Sequence, residues 1–206
     1  MIFTDWGKIF SPPASEPYRK VEESIHFSLA QSYFQRLLQN SSIRYIIVPL
    51  RDTANDGDFY QYYGGSRGAF IKQLDRLGYL RRLNSGMTDT IAYENPNYRP
   101  HIYLTPEAET ISKFVPFHSI EFDVKHRSEY RVHIKNTSSP VYLNFTDNYH
   151  PDWRLYLGPF SWWNALMGKP MTLPDSSHIK SDAGLNAFYI EPSYIKRNYP
   201  KGAAMR

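Results

Sequence analysis

Hydrophobic side chains in the first half of the chain recur at the spacing of a helix. Over residues 18–39 an apolar residue appears every three to four positions, which predicts a helix with one face against a core. Residues 43–48 form a short, largely apolar run rich in β-branched side chains, a pattern typical of a strand that is buried on both faces. Ser66 is a suitable N-cap for a second helix, in which Leu74 and Leu77 lie on the apolar side.

A pair of strands and a proline-broken segment complete this half. Residues 79–83 and 88–93 flank an Asn-Ser-Gly turn and are predicted to pair as strands. Prolines interrupt the stretch before the first helix, so residues 1–17 are predicted to be a linker or arm. Together these elements predict a small α/β subdomain over residues 18–100.

The second half has a different pattern, with short alternating segments separated by polar turns. Five candidate strands cover residues 117–125, 130–135, 141–145, 153–157 and 187–190. Apolar and polar side chains alternate strictly over residues 120–124, as expected for a strand with one wet and one dry face. We therefore predict an antiparallel β-sandwich or jelly-roll-like subdomain over residues 101–206, and an α+β fold class for the whole chain.

Composition excludes several classes of protein. Of the 206 residues 41% are hydrophobic and 21% are charged, which is ordinary for a chain that folds around a core. Without cysteine there can be no thiolate nucleophile, zinc–thiolate site or disulfide. The net charge is +4 and basic residues stand at most two in a row, so no nucleic-acid partner is predicted.

Membrane and targeting signals are lacking in the sequence. No apolar run approaches the about 20 residues that a spanning helix needs, and the first residues do not have the pattern of a secretory signal. Taken as complete, the chain is predicted to be a soluble cytoplasmic protein, whereas a piece of a longer protein would fit any compartment.

The sequence contains few motifs that are typical of catalytic sites. The seven histidines have no metal-ligand spacing, and neither a metal nor a cofactor is predicted. Residues 64–68 form a glycine-rich segment before a helix, where Arg67 is a candidate contact for an anion or phospho-sugar. The segment lacks the Lys-Ser/Thr ending of a P-loop, and a flexible turn with a helix cap is the alternative. Neither a nucleophile elbow nor a catalytic pair of carboxylates is evident, so whether the chain is an enzyme stays open.

Aromatic residues beside amides and carboxylates point to sugar binding. Aromatic rings stack on the apolar faces of sugars while polar side chains bond the hydroxyls. Trp153 opens a candidate strand and is more typical of a core side chain. Two adjacent tryptophans cannot both face inward on a regular element, so one of them is a candidate for an exposed contact. If a glycan is bound, the stacking candidates are Trp162, Trp163 and Tyr149, and the hydroxyl-binding candidates are Asn148 and Asp152.

Several short motifs resemble the region beyond the membrane-spanning part of YfhO-like bacterial membrane proteins. They are residues 42–49 (SIRYIIVP), 91–96 (IAYENP) and 99–103 (RPHIY), in that order along the chain. A Leu-x5-Tyr-x-Pro-x-Trp signature and a short Asn-aromatic strand follow, matched by Leu143, Tyr149, Pro151, Trp153 and residues 186–188. Where the family has glycine before the signature tryptophan, this chain has Asp152.

The resemblance implies a function at a membrane. YfhO-like proteins look like multi-spanning glycosyltransferases that use lipid-linked sugars, with the catalytic carboxylate on an extracytoplasmic loop that this chain does not contain. The chain would then be a non-catalytic soluble domain at the extracytoplasmic face of the cell membrane. Its expected partners are the membrane-spanning part of the same polypeptide and a glycan or lipid-linked sugar, with the domain contacting acceptor glycan or capping the catalytic cavity.

Two alternatives remain at this point. One is a free-standing carbohydrate-binding module. The other is a soluble enzyme of unknown reaction, whose site would gather Arg67, Asp58 and His101 at the loop ends of the first subdomain.

Overall fold

The structure of the chain is a computed structural model. It describes residues 29, 31–50, 67–84, 86–126, 129–134, 137–158, 163, 166–168 and 172–198. The predicted linker over residues 1–17, most of the first predicted helix, Ser66 and Trp162 lie outside these residues. The chain has an α+β fold with a β-sandwich-like arrangement, and it divides into two compact units between Tyr98 and Arg99.

The first unit combines two described helices with a three-stranded sheet. Its elements are α1 (Phe34–Asn40), β1 (Tyr45–Pro49), α2 (Arg67–Asp75), β2 (Arg81–Leu83) and β3 (Thr90–Glu94). The strand order is β1-β3-β2 and both pairings are antiparallel, so the predicted pairing of β2 with β3 is confirmed. Phe34, Leu37 and Leu38 of α1 are buried, as the helical spacing predicts.

β1 differs from its prediction as a strand buried on both faces. Val48 is buried, but the side chains of Tyr45 and Ile47 are 46% and 63% exposed. β1 lies at the edge of the sheet, and only one of its faces is covered. On that covered face Tyr93 of β3 donates a hydrogen bond from its hydroxyl to Asp75 Oδ1 of α2 at 2.7 Å. A short apolar run cannot distinguish such an edge strand from a central one, because the difference lies in the neighbouring elements.

The regular secondary structure of the second unit consists mainly of antiparallel strands. They are β4 (Ile102–Thr105), β5 (His118–Ser119), β6 (Glu121–His126), β7 (Glu129–His133), β8 (Val141–Asn148), β9 (His178–Lys180) and β10 (Leu185–Ile190). Five strands form a sheet in the order β5-β4-β8-β10-β9, and β6 and β7 form a separate hairpin. A 3-10 turn (Asp175–Ser177) precedes β9, and α3 (Pro192–Asn198) follows β10.

Side chains from the five-stranded sheet and from the hairpin share one core, which gives the sandwich-like arrangement. The buried members of this core are Ile102, Leu104, Val132, Leu143, Phe145, Leu155, Leu157, Leu173, Phe188 and Ile190. Val132 comes from the hairpin, and its neighbours Phe122 and Tyr130 pack on the same cluster. Alternating positions of β6 and β7 thus cover one face of the larger sheet.

Residues 153–157 do not form the regular strand that the alternation predicts. Among the described residues, Tyr156 forms an antiparallel bridge with Thr172, next to a bond from the Leu173 N–H to the Leu155 carbonyl at 2.9 Å. Leu155 and Leu157 are nevertheless buried. The alternation therefore reports burial correctly here, although residues 153–155 have no regular strand structure.

Candidate functional site

The candidate site residues are divided between the two units. Arg67 begins α2 in the first unit, where its Nη1 donates a hydrogen bond to the Leu50 carbonyl at 2.5 Å. The preceding glycine-rich residues 64–66 lie outside the described part of the chain. An anion contact at Arg67 stays a prediction, and its guanidinium already binds the backbone after β1.

Tyr149 lies at the surface end of an aromatic stack in the second unit. It follows β8, and its N–H donates to the Gly184 carbonyl at 2.9 Å. Its ring centroid is 4.9 Å from that of His178, with the planes tilted by 32°. His178 in turn stacks on the buried ring of Phe188, with centroids 4.4 Å apart and planes 10° apart. The three stacked rings run from the core towards the surface, so one face of the Tyr149 ring packs on His178.

A buried asparagine holds the loop that presents this ring. Asn186 of β10 donates from Nδ2 to the carbonyls of Asp147 and Asn148 at 2.8 and 3.0 Å. Its Oδ1 accepts the His150 N–H at 3.2 Å and lies 3.0 Å from His178 Nε2. Because Oδ1 can only accept, Nε2 of His178 carries the proton and donates it. The asparagine therefore fixes both the loop and the tautomer of the stacked histidine.

Polar residues lie close to Tyr149 along the chain. We call the group formed by Asn148, Tyr149, Asp152 and His178 the Tyr149 surface. The Asn148 side chain is exposed, and the Asp152 carboxylate is 83% exposed and lies 3.5 Å from His150 Nδ1. This part of the chain thus supplies a supported ring, an exposed amide and an exposed carboxylate, which are the kinds of group that bind hydroxyl-rich ligands.

The charge of His178 follows from its position in the stack. Burial lowers the pKa of His178 below its ordinary value of 6.5, and nearby Arg154 lowers it further. The hydrogen bond to Asn186 and the carboxylate of Asp175 act in the opposite direction. Since the net shift is downward, the imidazole is neutral near pH 7 and stacks as an uncharged ring.

The tryptophans have contrasting surroundings. Trp153 is partly buried and packs edge-on against Phe145, with ring centroids 4.7 Å apart. That contact agrees with the core role favoured by its sequence context. Trp163 is 75% exposed, on a short turn with Leu166 and Met167. In the described part of the chain no contact links Trp163 to the Tyr149 surface, so its role in stacking a sugar stays a prediction.

A second polar group surrounds His101, which the sequence singles out only within the enzyme alternative. His101 Nδ1 is 2.7 Å from Thr146 Oγ1, and Nε2 is 3.6 Å from Asp147 Oδ1. The imidazole packs against the rings of Tyr130 and Phe145, at centroid distances of 5.4 and 5.1 Å. Burial lowers the pKa of His101, while the negative charge of Asp147 opposes the shift.

The enzyme alternative requires His101 to meet Arg67 and Asp58. Arg67 belongs to the first unit and His101 to the second, and Asp58 lies outside the described residues. The pairing of His101 with Asp147 could be recognised in the sequence only from the register of β4 with β8. That register places Ile102 opposite Phe145 and therefore His101 beside Thr146.

Buried carboxylates in the described part of the chain are held by arginines. Glu94 accepts hydrogen bonds from Arg81 and, at 3.4 Å, from Arg44. Glu109, in the second unit, accepts one from Arg99. Neither is paired with a second carboxylate in the way that acid–base catalysis of sugar transfer requires.

The described residues show neither a metal-binding group nor a membrane-spanning helix. They contain no group of three histidine, aspartate or glutamate side chains arranged to hold a metal ion. Within the same residues, no helix combines the length and the apolar character needed to cross a bilayer.

Comparison with known proteins gives no relative: no family model, no curated protein and no solved structure matches this chain. The likeness to YfhO-like proteins is therefore carried by the quoted motifs alone.

Proposed function

We propose that this chain is a non-catalytic extracytoplasmic domain of a polytopic, glycosyltransferase-like membrane protein, and that it contacts glycan through the Tyr149 surface. The single observation that carries the glycan contact is the Tyr149–His178–Phe188 stack, with the exposed residues Asn148 and Asp152 close to Tyr149 in sequence. Contact with acceptor glycan at this surface is the form of the proposal that can be tested directly. Capping of a catalytic cavity elsewhere in the polypeptide is its second form.

The positions of the family-like residues support a domain without chemistry of its own. Several of the motif residues are buried and maintain the fold: Tyr93, Asn95, Arg99, Leu143, Asn186 and Phe188. Asn95 donates from Nδ2 to the Ile43 carbonyl at 3.0 Å, which joins two of the motifs across the first unit. Motif residues with such positions serve to maintain the fold of the domain. In this proposal the catalytic residues belong to another part of a longer protein.

The chemistry of the Tyr149 surface supports glycan as the ligand. A pyranose has one apolar C–H face and a rim of hydroxyls, so it binds best where a ring lies beside amides and carboxylates. Tyr149 offers the ring, Asn148 a donor and an acceptor, and Asp152 an acceptor. The neutral His178 behind the ring adds no charge that would have to be desolvated.

The contact with glycan is tested by measuring the affinity of the 206-residue chain for a panel of bacterial oligosaccharides by calorimetry. We expect Tyr149→Ala to weaken binding about tenfold, which corresponds to roughly 1.4 kcal/mol for the loss of one stacking ring. The matched control is Tyr156→Ala, which removes a more exposed tyrosine from the same unit. Tyr156→Ala should bind as the wild type does.

Equal affinity of Tyr149→Ala and the wild type, with both folded, would contradict the proposed glycan contact. The membrane assignment is tested separately, by reading the source DNA on both sides of the coding segment. Several apolar stretches of about 20 residues upstream would support it. A start codon at Met1 and a stop codon after Arg206 would contradict it and favour a free-standing carbohydrate-binding module.

A further inference from the structure

A single turn of the second unit exposes three large apolar side chains side by side. Trp163, Leu166 and Met167 are 75%, 76% and 72% exposed. The Met167 N–H donates to the Trp163 carbonyl at 2.9 Å, which closes one helical turn. Residues spaced i, i+3 and i+4 lie on the same side of such a turn. We call these three residues the apolar turn.

The chain on either side of the apolar turn is fixed to the core. Before it, Leu157 is buried, and after it, Leu173 is buried. Tyr156 and Thr172 form an antiparallel bridge, so the two flanking segments run side by side. Gly168, with φ of 66°, ends the turn in the left-handed conformation that glycine adopts without strain. The apolar turn thus lies in the chain between Leu157 and Leu173, two residues that are buried in the core.

The charges along this segment indicate what could cover it. Residues 155–174 contain no aspartate or glutamate, and their one charged side chain is Lys169. The whole chain carries a net charge of +4. An exposed apolar turn in a segment without acidic side chains, on a chain of net positive charge, complements the apolar interior and anionic headgroups of a phospholipid bilayer. Tryptophan is the side chain most typical of that interface, because its ring is apolar and its N–H bonds to water or headgroups.

We propose that the apolar turn inserts into the interfacial layer of a phospholipid membrane and holds the second unit against it. A sugar is a poorer occupant, because the side chains of Leu166 and Met167 cannot form strong hydrogen bonds with the hydroxyl groups of a sugar. A second copy of the chain is also a poorer occupant, because a stable protein interface buries about 800 Å² on each partner, more than one turn supplies. The inference goes beyond the proposed function and does not depend on glycan binding.

The test is co-sedimentation of the 206-residue chain with vesicles of phosphatidylcholine alone and with an equal mixture of phosphatidylcholine and phosphatidylglycerol. We expect the wild type to bind both, and to bind the anionic vesicles more strongly. Leu166→Asp and Met167→Asp should each lower the partition coefficient by about tenfold or more, because each places a charge in the apolar layer. Since both side chains are exposed, each variant should retain the melting temperature of the wild type.

Val124→Asp is the matched control, because Val124 is a 61% exposed apolar residue of β6 in the same unit. It should bind vesicles as the wild type does. Three results would overturn the proposal: no binding of the wild type to either vesicle, equal loss of binding in Val124→Asp, or binding that disappears for every protein at roughly 1 M salt, where charges are screened within about 3 Å. A dimer in sedimentation velocity that Leu166→Asp dissociates would also overturn it, in favour of a second copy.

The same variants separate this proposal from the proposed function. Leu166→Asp should retain the glycan affinity of the wild type, and Tyr149→Ala should retain its vesicle binding. Failure of one proposal can therefore be recognised without reference to the other.

Discussion

The two units each hold a buried carboxylate with arginine, but they enclose the arginines to very different extents. In the first unit Glu94 is bonded by Arg44 and Arg81, whose side chains are 46% and 69% exposed. In the second unit the side chains of Arg99 and Glu109 are 2% and 3% exposed. The guanidinium of Arg99 also donates to the Val115 carbonyl at 2.7 Å.

Because of this difference, we expect the two ion pairs to contribute differently to the free energy of unfolding. Around Arg99 lie the rings of Tyr103 and Phe117, with centroids 5.2 and 5.1 Å from the guanidinium carbon. Burial raises the pKa of the Tyr103 hydroxyl to about 12, which is what a poorly hydrated interior does to an acid. Loss of one partner there leaves a charge without water, whereas Arg44 and Arg81 remain hydrated.

The largest expected effect comes from breaking the buried pair. We expect Arg99→Met to lower the free energy of unfolding of the second unit by about 3–5 kcal/mol, because Glu109 would remain as an uncompensated buried charge. The measurement is urea unfolding monitored by far-UV circular dichroism at neutral pH.

Two further variants sharpen this comparison. Arg99→Met combined with Glu109→Leu should recover most of the lost stability, because the pair is then replaced by apolar groups. Glu94→Gln in the first unit should have a much smaller effect than Arg99→Met. Equal losses in Glu94→Gln and Arg99→Met would show that burial does not set the weight of these pairs.

A smaller effect is expected from the buried asparagine of each unit. Asn186 makes four side-chain hydrogen bonds, whereas two are recorded for the Asn95 side chain, from Nδ2 to the Ile43 carbonyl and to Oδ1 from the Asn97 N–H. We expect Asn186→Ala to cost about 2–3 kcal/mol and Asn95→Ala about 1–2 kcal/mol, because more buried polar groups lose their partner at Asn186. The free energies are compared by the same urea titration.

Asn186→Ala should also weaken glycan binding at the Tyr149 surface, because the loop loses the hydrogen bonds that hold the carbonyls of Asp147 and Asn148. Asn95→Ala serves as the control, since it lies in the other unit. A larger loss of stability in Asn95→Ala than in Asn186→Ala would contradict the hydrogen-bond argument.

The smallest expected effect is a difference in pH dependence between the units. Burial lowers the pKa of both His101 and His178, so the unfolded chain binds protons at a higher pH than the folded one. The contribution of the two neutral histidines to the free energy of unfolding should therefore be present above pH 6.5 and should decrease as the pH falls below that value. The hydrogen bond from Arg81 lowers the pKa of Glu94, so its contribution in the first unit should be lost only below the ordinary glutamate value of 4.5.

Titration of the two imidazole rings by NMR checks the cause directly. The resonances of His101 and His178 should titrate below pH 6.5, and His178→Gln should reduce the loss of stability between neutral pH and pH 5. A His178 resonance that titrates above pH 6.5 would contradict the assignment of the buried, neutral ring.

Several features could be predicted from residues close together in the chain. The pairing of β2 with β3 follows from two strand-like segments around an Asn-Ser-Gly turn, and the burial of Phe34, Leu37 and Leu38 follows from helical spacing. The α+β class and the antiparallel second unit follow from the change of period between the halves. The candidate site residues Asn148, Tyr149 and Asp152 are neighbours in sequence, and their joint role in binding a glycan stays a prediction.

Features that depend on distant residues could not be predicted. Ile47 is exposed because β1 is an edge strand, which depends on β3 some 40 residues later. His178 reaches Tyr149 through the pairing of β9 with β10 and of β10 with β8. Arg99 meets Glu109, which lies ten positions later in the chain and beyond β4, where aromatic side chains surround the guanidinium.

The sequence by itself therefore determined the local elements, the α+β class and the clustering of aromatic and polar residues after β8. Hydrophobic period, turn residues and side-chain chemistry act over a few residues, and they can be recognised without knowing the partner. Only the tertiary structure decided which arginine is enclosed and which histidine supports Tyr149. Burial and hydrogen bonding depend on the groups that pack around a side chain, and here those groups come from strands far apart in the chain.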